Sequence, residues 1–181
     1  MAEPARADES TERSSTWRTG VFAALSTALG LGYAPVAPGT AGTLLGVGIH
    51  VAVALSLPAG PRLPVLTICF VAACAACVPL ANWAETYWGK KDPGRFVLDE
   101  VAGYLLVLLL ARSGGLTLHV IWAFVLFRIF DIVKPPPARS LEEVRGGWGV
   151  LLDDLVAGAY AGLVLNVLAI VVPSWVGATA A

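Results

Sequence analysis

The chain has 181 residues, 57% of them hydrophobic and only 14% charged. A soluble domain carries about 25% charged residues, so near-continuous apolar runs with so few charges exclude one water-soluble core and indicate a polytopic membrane protein. A net charge of −1 gives no electrostatic basis for binding nucleic acid.

Residues 1–18 are rich in Ala, Glu, Arg, Ser and Thr, lack apolar periodicity, and read as a disordered tail without a signal-peptide pattern. Residues 20–34 are apolar but short, and Gly30, Gly32 and Pro35 interrupt them, which suits an interfacial or re-entrant helix. The loop from Pro35 to Thr43 leads into a first predicted span over residues 42–57. A second, over 63–85, ends among Asn82, Trp83, Glu85, Tyr87 and Trp88, an aromatic interface belt. Cys69, Cys74 and Cys77 lie within it with no His or carboxylate beside them, and read as small packing residues.

A polar loop, 89–95, precedes a third span at 97–111. The fourth, 116–133, stops at Lys134-Pro135-Pro136-Pro137, because prolines cannot continue the hydrogen-bond ladder. A polar, glycine-rich stretch at 138–149 opens the fifth, 150–172, which ends at Pro173. The predicted fold is all-α: a polytopic membrane helix bundle of about five spans plus the short N-terminal helix. It forms one domain over 19–173 with a tail at 174–181.

Threading these spans through a bilayer brings nine of the 13 acidic residues to one side; the other four lie in the N-terminal tail. Of the 12 Lys and Arg residues, ten fall on that same side, and only Arg62 and Arg112 on the other, which places the tail and acidic loops in the cytoplasm. Carboxylates at the edge of a membrane core are costly unless paired, solvated or bound to a cation, so they read as functional.

Asp153-Asp154 opens the fifth span, with Gly158 and Gly162 following; Asp99-Glu100 stands one turn inside the third, followed by Gly103. One acid at a helix start can simply cap backbone N–H groups, but each helix carries a pair. Each also has a glycine one turn on, which permits close helix contact. Packed together, the two helices can present Asp99, Glu100, Asp153 and Asp154 to one or two Mg²⁺ ions, which prefer oxygen ligands. The alternative is that these acids pair with Arg or Lys and merely lock the bundle.

Arg128 and Asp131 are three apart on one helix face and Lys134 continues the row. They suit either phosphate recognition, by a guanidinium fork and a point charge, or a salt bridge with an interfacial lysine. The pieces Pro38-Gly39-Thr40-Ala41-Gly42-Thr43 and Gly146-Gly147-Trp148-Gly149 each precede a helix and can offer N–H groups to an anion. His50 and His119 have no partner at ligand spacing and read as packing or helix–helix hydrogen-bonding residues; Glu142 and Glu143 read as solvated loop charges.

Four blocks now carry a resemblance. Pro38-Gly39-Thr40 with Gly42-Thr43, Lys91-Asp92-Pro93-Gly94 through Val97-Leu98-Asp99-Glu100-Val101-Ala102-Gly103, Phe127-Arg128-Ile129-Phe130-Asp131-Ile132-Val133-Lys134-Pro135, and Gly146-Gly147-Trp148-Gly149 through Asp153-Asp154 to Gly158 resemble, in this order, the phosphatidylglycerophosphatase A family. The resemblance implies a membrane-integral, Mg²⁺-dependent phosphatase of the inner membrane. Its substrate would be phosphatidylglycerophosphate, a phospholipid partner held in the bilayer, and the products phosphatidylglycerol and phosphate. It carries the family's acidic positions onto Asp92, Asp99, Glu100, Asp131, Asp153 and Asp154, and its basic positions onto Arg128 and Lys134. Pro136-Pro137 departs from the family, whose members often have an aromatic residue there.

On this reading Asp99, Asp131 and Asp154 are the catalytic candidates. Arg128, Lys134, Gly39, Thr40, Thr43 and Asp92 would contact the headgroup. Water attack and an aspartyl-phosphate on Asp131 both remain open, as does a homo-oligomer. The rival class is a cation-coupled transporter or channel, whose acids should lie along a path through mid-membrane rather than cluster at one edge.

Overall fold

The computed structural model describes residues 6–111 and 115–177. Helix α1 (Arg6–Ser26) is followed by a 3-10 turn (Leu31–Tyr33), then α2 (Pro38–Ser56), α3 (Ala59–Trp88), α4 (Leu98–Leu110) and α5 (Leu116–Val133). A short α6 (Ala138–Leu141), the long α7 (Gly147–Val171) and a short α8 (Pro173–Val176) complete the chain, with no strand among the described residues. The all-α membrane bundle expected from sequence is therefore the architecture found.

Four helices, α2, α3, α5 and α7, are long and apolar enough to cross a membrane. The expected third span is the 13-residue α4, about 20 Å long at 1.5 Å per residue, against a hydrocarbon core of about 30 Å. It packs against α2, α3, α5 and α7, and Val101, Ala102, Tyr104, Leu105 and Val107 on it are at most 2% exposed. Enclosed this way, α4 need not match the bilayer thickness itself.

Small residues let the backbones approach. A Cβ at Gly158 of α7 would run into the carbonyl oxygen of Gly103 on α4, and one at Gly46 of α2 would lie 2.8 Å from Tyr104 Cδ1. Gly42 and Gly46, one turn apart, thus put α2 against the start and middle of α4. The first turn of α7 is fixed to α3 by the Gly147 N–H, which donates to Asn82 Oδ1 at 2.7 Å.

Helix α1 begins within the segment that reads as a tail and takes in residues 6–18, because Ala, Glu and Arg are strong helix formers; residues 1–5 lie outside the described residues. After Ser26 the chain turns through Ala28, Leu29 and Gly30, all with positive φ. The exposed Trp17, Val21, Phe22, Leu25 and Leu29 give this segment an apolar outer surface, as expected of an interfacial element. Phe22 packs edge-on against Trp83 at 5.6 Å, tying α1 to the aromatic belt, where Trp83 stacks on Tyr87 at 4.6 Å. The C-terminal segment also folds back: Trp175 stacks on Trp122, whose Nε1 donates to Trp175 O at 2.8 Å.

Candidate active site at the carboxylate end of the bundle

Three carboxylates meet where the starts of α4 and α7 face each other. One oxygen each from Asp99, Glu100 and Asp154 lies within 4.8 Å of the others. Asp99 and Asp154 are 7% and 3% exposed. Asp99 Oδ1, Glu100 Oε2 and Asp154 Oδ2 are buried without a hydrogen-bond partner. Buried carboxylate oxygens are normally satisfied, and like charges this close repel strongly in a poorly solvated site. An all-oxygen set of this kind suits a hard divalent cation such as Mg²⁺.

Helix α5 adds the phosphate-binding candidates. Arg128 Nη1 donates to Asp131 Oδ2 at 2.5 Å, so the salt-bridge reading of this pair holds. It uses only part of the guanidinium, for Arg128 Nε is buried without a partner. The Asp131 carboxyl also approaches Asp154, which joins the pair to the three-carboxylate group. The start of α2 closes the site: a Cβ at Gly39 would overlap Glu100 Oε1 and lie 3.1 Å from Arg128 Nη1. A side chain there would have to push the Glu100 carboxylate out of its place.

The other candidates are placed differently. Lys134 does not continue the α5 row, because the helix ends at Val133 and Lys134 turns into the left-handed region at φ 47°. Its ammonium donates to Asp153 Oδ2 at 2.5 Å and lies 3.4 Å from Glu142, so Glu142 is an ion-pair partner rather than a solvated loop charge. Burial by itself would lower the Lys134 pKa; the hydrogen bond and charge of Asp153 outweigh it and hold the ammonium above its usual range. Asp153 therefore neutralises Lys134 and stands outside the three-carboxylate group, although its Oδ1 is also buried and unpartnered.

Asp92 sits in the loop before α4 at φ 44°, where burial raises its carboxyl above the usual range against the opposing pull of Lys134. Thr43 is fully buried and its hydroxyl donates to Gly39 O at 2.9 Å, which braces the α2 start from beneath. The Thr40 N–H donates to Ala37 O at 3.0 Å. Asn82, which anchors Gly147, escaped the sequence reading because a single amide among aromatic residues carries no local signal of a helix 65 positions away.

Arranged like this, the site can hold a cation between α4 and α7 and an anion beside Arg128. A family model described as phosphatidylglycerophosphatase A matches residues 24–169. The chain belongs to that family. Among its relatives, a Bacteroides thetaiotaomicron protein named putative phosphatidylinositol-3-phosphatase is 41% identical over 144 residues, covering 79% of this chain and 90% of its own. The phosphatidylglycerophosphatase A of Haemophilus influenzae is 34% identical, covering 78% and 84%, and that of Escherichia coli 31%, covering 78% and 79%. No solved structure matches the chain. Family membership makes this multi-pass membrane protein a phosphatase acting on a lipid in the bilayer, and disfavours the transporter reading.

Proposed function

We propose that the chain hydrolyses phosphatidylglycerophosphate to phosphatidylglycerol and phosphate, with Mg²⁺, at the cytoplasmic face of the inner membrane in phospholipid biosynthesis. The observation that carries this reading is the set of unpartnered buried oxygens on Asp99, Glu100 and Asp154 beside an unpartnered Arg128 Nε. One set lacks a cation and the other an anion, and a metal-assisted phosphatase brings both. The ten-to-two bias of basic residues supports the cytoplasmic placement.

Asp99, Glu100 and Asp154 would hold the metal. Bound there, Mg²⁺ supplies Lewis-acid polarisation of the phosphate and lowers the pKa of a coordinated water. Arg128, through Nε, neutralises phosphoryl oxygens as charge develops on them. Asp131, held by Arg128, accepts the proton of the attacking water and passes it to the glycerol oxygen as the bond from phosphorus to that oxygen breaks. Lys134, fixed between Asp153 and Glu142, contributes positive potential at the rim. Gly39 keeps the α2 backbone close to both Glu100 and Arg128.

The test is phosphate release from phosphatidylglycerophosphate in detergent, with Mg²⁺ and with EDTA. Release only with the metal is the expected result; release undiminished by EDTA removes the metal from the reading. Phosphatidylinositol 3-phosphate belongs in the same assay, because a relative at 41% identity carries that activity in its name; faster turnover of it would reassign the substrate. Hydroxylamine trapping during turnover should leave Asp131 unmodified, whereas a hydroxamate at Asp131 would establish an aspartyl-phosphate.

A further inference from the structure

A second site lies at the other end of the bundle, and it does not depend on the phosphatase reading. A cavity of about 530 Å³ opens between α2, α3, α4 and α5, lined by His50, Arg62 and His119 together with apolar residues such as Leu63, Leu66 and Leu108. Its remoteness from the carboxylates follows from three helices independently. His50 is 11 residues beyond Gly39 on α2, Leu108 is nine beyond Asp99 on α4, and His119 is nine before Arg128 on α5. At 1.5 Å per residue each interval is about 14–17 Å along the helix. In a chain that crosses the membrane, that distance puts the cavity toward the opposite leaflet.

Its lining holds one positive charge, Arg62, and two imidazoles. Arg62 is anchored by Nε, which donates to Leu57 O at 2.9 Å; that bond uses only Nε, and the terminal amino groups are the donors a ligand would meet. The His50 and His119 rings stand edge to face at 5.6 Å, and His50 Nδ1 lies 3.4 Å from the Tyr104 hydroxyl. Ala59 and Gly60 at the start of the 30-residue α3, and Leu116 at the start of the 18-residue α5, also line the cavity, so two helix N-termini add their positive ends. Among the described residues no carboxylate lines it. One guanidinium cation and several N–H donors over an apolar floor, in a space sized for a small ligand, match an anionic headgroup with the beginning of its acyl chains.

We propose that this cavity binds the phosphate of an anionic phospholipid, held by Arg62 and oriented by the two imidazoles. The chemistry recognised is a phosphate oxyanion, for which a lipid headgroup and free inorganic phosphate are the two sources. The apolar lining favours the lipid.

The experiment is native mass spectrometry of the full chain released from detergent, in an Arg128→Gln background that weakens anion binding at the carboxylate end. Phosphatidylglycerol, phosphatidylcholine and inorganic phosphate serve as probes. One retained phosphatidylglycerol is expected, preferred over phosphatidylcholine by about tenfold, or about 1.4 kcal/mol. Adding Arg62→Gln should reduce retention by a similar factor, while Arg62→Lys preserves most of it. Equal retention of the two lipids, or undiminished phosphatidylglycerol in the Arg62→Gln protein, overturns the proposal. Full displacement of the lipid by inorganic phosphate overturns the lipid assignment. Should Arg62→Gln fail to fold, Ala54→Trp fills the cavity with Arg62 in place; unchanged retention in that variant is equally fatal.

Discussion

Replacing Gly39 by alanine separates the architecture of the active site from its charges, because no ionisable group is removed. The added Cβ overlaps Glu100 Oε1 and comes within 3.1 Å of Arg128 Nη1. Carbon and oxygen need more than 3 Å, so the Glu100 carboxylate must retreat by about 1 Å. A misplacement of that size in a catalytic constellation costs about 100-fold in rate, or about 2.7 kcal/mol of transition-state stabilisation. Stability should change little: the clash falls on the end of a side chain, and alanine is favoured over glycine in a helix by up to about 1 kcal/mol. The assay is kcat/KM for phosphate release beside thermal unfolding of the same preparation. A Gly39→Ala enzyme within about threefold of wild type, about 0.7 kcal/mol, would refute the placement of α2 against Glu100. A protein that simply unfolds would refute the expectation that the clash is absorbed by the Glu100 side chain.

Asp154→Asn removes one of three crowded carboxylates, so without divalent metal its unfolding temperature should rise above wild type. Mg²⁺ at 100 times its Kd should stabilise the wild type by about 2.7 kcal/mol and the variant by much less; equal shifts in a thermal scan would remove Asp154 from the metal site. Lys134→Met leaves Asp153, 5% exposed, without its cation, and should cost about 3 kcal/mol. Adding Asp153→Asn should restore much of that loss in a denaturant double-mutant cycle, and simple additivity would show that the pair is not coupled. Gly158→Val meets the Gly103 carbonyl and should destabilise by about 1–3 kcal/mol through overpacking. Gly48→Ala, with nothing within 4 Å of the new Cβ, should not lower the unfolding temperature, which makes it the control for helix glycines in general.

Much of this protein is written locally. The apolar run lengths, the prolines after Lys134 and the glycines one turn beyond Asp99-Glu100 and Asp153-Asp154 set the helices and the faces that touch, because hydropathy and the 3.6-residue period act over a few positions. The acidic pairs are likewise visible as types and spacings. What the chain order does not contain is the partner each charge finds across helices. Asp153 and Asp154 are neighbours, yet successive helix positions point about 100° apart, so Asp154 joins Asp99 and Glu100 while Asp153 turns to Lys134. The shortness of α4, the Asn82 anchor under α7 and the cavity around Arg62 depend in the same way on packing between segments far apart in the chain. Local sequence fixes which side chains a helix end offers; the crossing of helices fixes which of them share one volume.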